Sequence, residues 1–346
     1  MPSSAPSQTS VESASGFASW PLAVSILLVT NLVIYCVNRN SWPARFLAKL
    51  FGNSCLKGCN GGTFHATRTV TGQRTLPYPQ QFWAFDVICP SDVVCSALVP
   101  VPVLLVWRLG VLAHFGATIL VDALDDGINS NFMVFFTHWT LVAMGVQGLV
   151  STTVTAIHVR RKQSEITWNF GLKLMLVLEQ TVPTSALFLT LFYWAALYDP
   201  ETEDVSGSNL MKHGINVVVM LCSFFLSNIP FISYHIQFTV LFLTAYCVFM
   251  WIYAEATGVW TYSVLDYSES TSLLYYVLVP ILLVICFYIW FLLGMLRDVV
   301  SYKCCKRDAF VRMPFHDSAV AGAITSSSAA HTGPQDDKTT TDEEAQ

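Results

Sequence analysis

Seven stretches of this chain are each long and apolar enough to cross a bilayer, and no soluble fold accommodates that many. A spanning helix takes about 20 mostly apolar residues. The stretches run approximately over Phe17–Val37, Leu98–Asp122, Phe132–His158, Gly171–Leu197, Leu210–Ser227, Phe231–Ala254 and Ser272–Leu296. Composition points the same way, with 53% of residues apolar and 12% charged, where a soluble domain carries about a quarter charged. The surplus apolar surface needs lipid as its solvent. Closed β-barrels are the other spanning solution, but their strands alternate in polarity and these runs are unbroken. The expected fold is all-α, a polytopic transmembrane helical bundle of about seven spans.

Lysine and arginine in the loops set the expected orientation. Arg39, Arg45, Lys49, Lys57, Arg68 and Arg74 follow the first span. Arg160, Arg161 and Lys162 follow the third, and Arg297, Lys303, Lys306, Arg307 and Arg312 follow the last. The intervening loops, around Asp125-Asp126, Asp199–Asp204 and Asp266–Glu269, are acidic, with Lys212 nearby. This alternation implies an integral membrane protein with its N-terminus outside or lumenal and its C-terminus cytosolic, in the plasma membrane or an endomembrane. The first span lacks a basic lead-in and a small-residue cleavage site, so it reads as a retained anchor rather than a signal peptide.

The chain divides into a disordered N-terminal arm over 1–16, an anchor with its cytosolic loop over 17–92, a six-helix core over 93–300 and a disordered tail over 301–346. Ser227-Asn228-Ile229-Pro230 reads as a tight helical-hairpin turn, because proline disfavours helix in its predecessor and brings no donor. Cys55 and Cys59 lack a second Cys/His pair, so no zinc site is expected. Cys304 and Cys305 lie in a basic juxtamembrane setting and are palmitoylation candidates. No metal-ligand spacing, phosphate-binding glycine loop or nucleophile elbow is present. The expected partner is membrane lipid, with no cofactor and no nucleic acid.

Ionisable groups inside spans are costly and are candidates for function. Arg108 and Glu179 sit at similar depth in the second and fourth spans, at about 1.5 Å per residue, and are expected to form a buried ion pair, a structural device first. A second level gathers Thr137, His138 and Thr140 at the start of the third span, His213 and Asn216 at the start of the fifth, and His114 in the second. Glu255, Thr257, Trp260, Tyr262 and Asp266 close the sixth. A threonine hydroxyl and a histidine imidazole at one depth, Thr137 and His213, are candidates for a nucleophile and its base. Taken singly, each has an ordinary role: threonine bonds its own i−4 carbonyl, histidine caps a helix, and Trp and Tyr form interfacial belts.

Lys212-His213-Gly214-Ile215-Asn216 and the segment Ala256-Thr257-Gly258-Val259-Trp260-Thr261-Tyr262-Ser263-Val264-Leu265-Asp266 resemble the androgen-induced and rolling-stone superfamily of multispanning proteins. Phe135-Phe136-Thr137-His138-Trp139-Thr140 resembles its aromatic-threonine segment, and Leu197-Tyr198-Asp199-Pro200 is similar to the rolling-stone branch. The resemblance covers roughly residues 93 to 300. Its androgen-induced branch implies an intramembrane hydrolase of fatty-acid esters of hydroxy fatty acids, which would place the nucleophile on Thr137 and the base on His213. Asn216 or Trp260 would then donate to the oxyanion, with His138 beside the nucleophile. Where that branch tends to carry paired histidines, this chain has Ala254-Glu255, so Glu255 is the candidate acid for orienting His213. The rolling-stone branch implies the alternative, a non-catalytic membrane protein of cell fusion, adhesion or scaffolding.

Overall fold

In lipid the backbone must satisfy its own hydrogen bonds within each segment, and this chain does so with helices. The computed structural model describes residues 20–39, 46, 85, 90–96, 98–125, 132–161, 166–198, 207–269 and 271–305, with backbone alone at 20, 39, 125, 161, 208 and 298–305. Helix α1 spans Trp20–Arg39, α2 Pro90–Val94, α3 Val101–Asp125, α4 Phe136–Arg161 and α5 Phe170–Phe192. Helix α6 spans Gly207–Leu210, α7 Asn216–Leu226, α8 Ile236–Thr257 and α9 Ser272–Cys305. No strand occurs among the described residues. They all belong to one unit, Met1–Ala309; the other, Phe310–Gln346, lies outside them.

Helices α1, α3, α4, α5, α8 and α9 contain the 6 segments long and apolar enough to cross a membrane. The chain is an all-α integral membrane protein. The fifth expected span differs from the rest. Helical backbone runs unbroken from Gly207 to Leu226, but Met211–Ile215 is a π-turn, and the apolar part, Met211–Leu226, is shorter than the others. The expected arm, the cytosolic loop with Cys55 and Cys59 (apart from Phe46, Phe85 and the segment from Pro90), and the tail lie outside the described residues. Cys304 and Cys305 close α9, and their side chains lie outside the described residues too.

Helix α5 is the central element, packed against α4, α7, α8 and α9. In its most apolar window 67% of residues are buried, against 17% in that of α1. Such burial is costly for a polar side chain without a partner, as Thr181 is. Thr184 and Ser185 donate to the carbonyls of Gln180 and Thr181, one turn back. Pro183 withdraws a donor from the same turn, and the Trp290 indole of α9 donates to the Pro183 carbonyl at 2.9 Å. Asn169 caps the helix start by accepting from the Leu172 N–H at 3.0 Å. At the far end of the bundle, α8 stops at Gly258, whose φ of 70° lies in the left-handed region that suits glycine. That stop turns the following loop back over the bundle and brings Tyr262 to the start of α4.

Between α7 and α8 the backbone is irregular and yet buried, and such backbone survives at membrane depth only when protein satisfies it. Gln180 does so from α5, accepting from the Ile232 N–H at 2.9 Å and donating to the Pro230 carbonyl at 3.4 Å. Arg297 of α9 is 3% exposed and donates to the carbonyls of Phe224, Ser227 and Ile229 at 3.2, 2.9 and 3.0 Å. Its guanidinium also lies over the Phe224 ring, 4.7 Å from the centroid. The tetrapeptide expected to be a simple turn is thus a locked junction. Arg297, read from the sequence as a topogenic charge, is the clamp that holds it.

Helix α1 is joined to the core by polar contacts. Asn31 donates to the Thr244 hydroxyl at 3.0 Å, and Asn38 to the Ser233 carbonyl at 2.8 Å. Helices α3 and α4 pack closely where glycine permits it: a Cβ at Gly148 would stand 3.1 Å from the Leu112 Cα.

Candidate functional site

The first N–H groups of α4 have no acceptor within the helix, and aromatic residues from elsewhere in the chain fix this end. Phe136 N–H donates to the Tyr262 hydroxyl at 3.3 Å, while Tyr246 of α8 donates to the Val134 carbonyl at 2.8 Å. Within the segment, the Trp139 indole reaches back to the Met133 carbonyl at 2.7 Å and His138 Nδ1 bonds the Phe132 carbonyl. Thr140 takes the ordinary threonine role, donating to the Phe136 carbonyl at 3.0 Å. Thr137 does not: its side chain hydrogen-bonds that of Tyr262. Burial raises the Tyr262 phenol above the ordinary tyrosine range, against the hydrogen bonds from Phe136, Tyr246 and Thr137, which pull it down. A phenol so placed stays neutral near neutral pH and cannot remove the Thr137 proton.

Across the α3–α4 hairpin lies the charged part of the site. Asp122, in the last turn of α3, is 2% exposed. Its Oδ2 lies 2.6 Å from His138 Nε2, and its Oδ1 accepts from Lys212 at 2.5 Å. Both His138 nitrogens therefore face acceptors, a carboxylate on one side and a carbonyl on the other. One buried carboxylate thus faces both His138 and Lys212, and three segments of chain meet at it.

Next to Lys212, His213 is buried, and its ring stacks on that of Tyr193 at 3.7 Å and 7°. Two π-turns produce this contact, Tyr193–Leu197 after α5 and Met211–Ile215 before α7. The extra residue in a π-turn rotates the following side chains, and such turns recur at functional sites. Asn216 secures the second turn: its amide donates to the Lys212 carbonyl at 2.6 Å, and its oxygen accepts from Val217 N–H at 2.6 Å and the Thr190 hydroxyl at 3.3 Å. The Trp194 indole donates to the His213 carbonyl at 2.9 Å. With its backbone and ring so held, His213 keeps a buried Nδ1 that has no hydrogen-bond partner. Lys212, Asp122 and His138 all lie close enough to act on it electrostatically.

Several sequence-predicted residues thus meet at one end of the bundle. Thr137 and His138 start α4, His213 belongs to the turn packed against it with Asn216 just beyond, and Tyr262 accepts from the Phe136 N–H beside Thr137. No hydrogen bond joins Thr137 to His213: the hydroxyl is with Tyr262, and Nδ1 is unpartnered. The proposed acid is elsewhere, because Glu255 is exposed and accepts from the Tyr267 hydroxyl. The buried acid at this end is Asp122, which faces His138 and Lys212. The sequence contained that signal, an acid in the last turn of one span facing a histidine in the first turn of the next. Trp260 packs edge-on against Tyr267 at 5.0 Å, and the Asn216 amide is engaged with the Lys212 carbonyl rather than poised as an oxyanion donor.

Arg108 and Glu179 are both buried at the other end and line one cavity. They do not form the direct ion pair expected from their depth. Arg108 bonds the Thr155 hydroxyl and the Val93 carbonyl (3.2 Å), and Gln147 hydrogen-bonds the Glu179 carboxyl. Among the described residues, no three His, Cys, Asp or Glu side chains group to hold a metal. No family model matches this chain, and no curated protein and no solved structure matches it either.

Proposed function

We propose that the Thr137 end of the bundle is a catalytic site for hydrolysis of lipid esters, on the outer or lumenal face. The supporting observation is the buried His213 imidazole, held by stacking and by its backbone while Nδ1 has no hydrogen-bond partner. A buried polar atom without a partner is costly, and a general base is a reason for keeping one. In the proposed reaction His213 removes the Thr137 proton once the hydroxyl leaves Tyr262. Thr137 Oγ then attacks the ester carbonyl carbon, and the alkoxide departs with the proton that His213 took. Water resolves the acyl-enzyme with His213 again as base. Asp122 is the positioning acid, acting through His138 and Lys212. The androgen-induced and rolling-stone resemblance supports the same assignment of nucleophile and base.

A second reading, a non-catalytic protein of fusion, adhesion or scaffolding, is favoured by one observation. The Thr137 hydroxyl is engaged with Tyr262, and the Asn216 amide is committed to the Lys212 carbonyl. Labelling by a fluorophosphonate probe separates the readings. On the catalytic reading the membrane-embedded wild type labels, and Thr137→Ala and His213→Ala lose at least ten-fold of that labelling at equal abundance, an effect of about 1.4 kcal/mol or more on reactivity. Undiminished labelling of Thr137→Ala would sink it.

A further inference from the structure

The cavity at the Arg108 end belongs to none of the chemistry above. It opens between α3, α4, α5 and α7, and its lining includes Arg108, Gln147, Ser151, Glu179, Ser223 and Ser227. Its free space admits about one water-sized molecule. The lining is too polar for so small a void to stay dry, since empty cavities in proteins are apolar. Gln147 is 3% exposed, and its Oε1 is buried with no hydrogen-bond partner. Two of the serines are already committed as donors: Ser151 donates to the Gly148 carbonyl at 3.2 Å and Ser223 to the Val219 carbonyl at 2.8 Å. Arg108 uses one N–H on Thr155 and one on Val93 and has others to offer.

We propose that this cavity is a water-binding site, in which one ordered water donates to Gln147 Oε1 and to the Glu179 carboxyl and accepts from Arg108. The stoichiometry fits, because water brings two donors and two acceptors to a site with two acceptors and a spare donor. A metal cation of similar size is disfavoured by the Arg108 charge. The water links Arg108 and Glu179 without direct contact, and it accounts for two ionisable groups buried together but not ion-paired. This site is independent of the catalysis proposed above.

The test is a structure of the full-length protein in lipid at a resolution that shows ordered water. Density within hydrogen-bond distance of both Gln147 Oε1 and the Glu179 carboxyl is expected; a dry cavity would overturn the proposal. Infrared difference spectra between ordinary and oxygen-18 water give a second readout on folded Gln147→Met. An isotope-shifted O–H band present in wild type should be lost from the variant, and a band unchanged by the substitution would also overturn it. If Gln147→Met fails to fold, the wild-type structure alone decides.

Discussion

Replacing Arg297 with methionine is expected to destabilise the bundle by about 3–5 kcal/mol, given about 1–3 kcal/mol for each buried acceptor left unmet and some relaxation among them. The substitution keeps a long apolar stem but removes the donors from the carbonyls of Phe224, Ser227 and Ile229 at once. Those carbonyls belong to the end of α7 and the junction after it, where Ser227 and Ile229 are buried. Arg297→Lys should recover only part of the loss, because one ammonium cannot reproduce the fork of a guanidinium across several carbonyls. Unfolding in mixed micelles by titration with a denaturing detergent measures both variants. Wild-type stability in Arg297→Met would mean that the junction is held by packing alone.

Asp122→Leu is expected to cost about 2–4 kcal/mol, somewhat below the usual loss for a broken buried pair because the Lys212 side chain is 14% exposed and keeps some access to water. Removing the carboxylate leaves His138 and Lys212 facing each other without their shared anion. Adding Lys212→Met should therefore restore stability rather than add to the damage, a coupling that a double-mutant cycle detects. The same variant bears on the proposed chemistry, since Asp122 fixes the two residues that flank Thr137 and His213 in the chain. Simple additivity of the two substitutions would show that Asp122 and Lys212 are not coupled.

Much of the fold was legible because the bilayer leaves a chain few options. The long apolar runs mark α1, α3, α4, α5, α8 and α9, with ends near those expected except that α9 runs on past Leu296 to Cys305. Less legible was the segment before α7, where a run that reads as one span contains a π-turn. Hydropathy is blind to that turn: it depends on hydrogen bonds of the Asn216 amide and on the stacking of His213 with Tyr193, a residue in no motif. The convergence of Thr137, His138, His213 and Tyr262 was visible from depth alone. Their pairing was not, because depth orders residues along the membrane normal and says nothing of rotation about a helix axis. For that reason the acid buried beside these residues is Asp122 while Glu255 is exposed, and Arg108 and Glu179 share a cavity instead of a salt bridge.

The most direct test of the proposed chemistry is to treat the membrane-embedded protein with a fluorophosphonate and locate the adduct by peptide mass spectrometry. The expected site is Thr137, with no adduct there in His213→Ala. An adduct on a different residue, or none on folded wild-type protein, would contradict the assignment of Thr137 as nucleophile and His213 as its base.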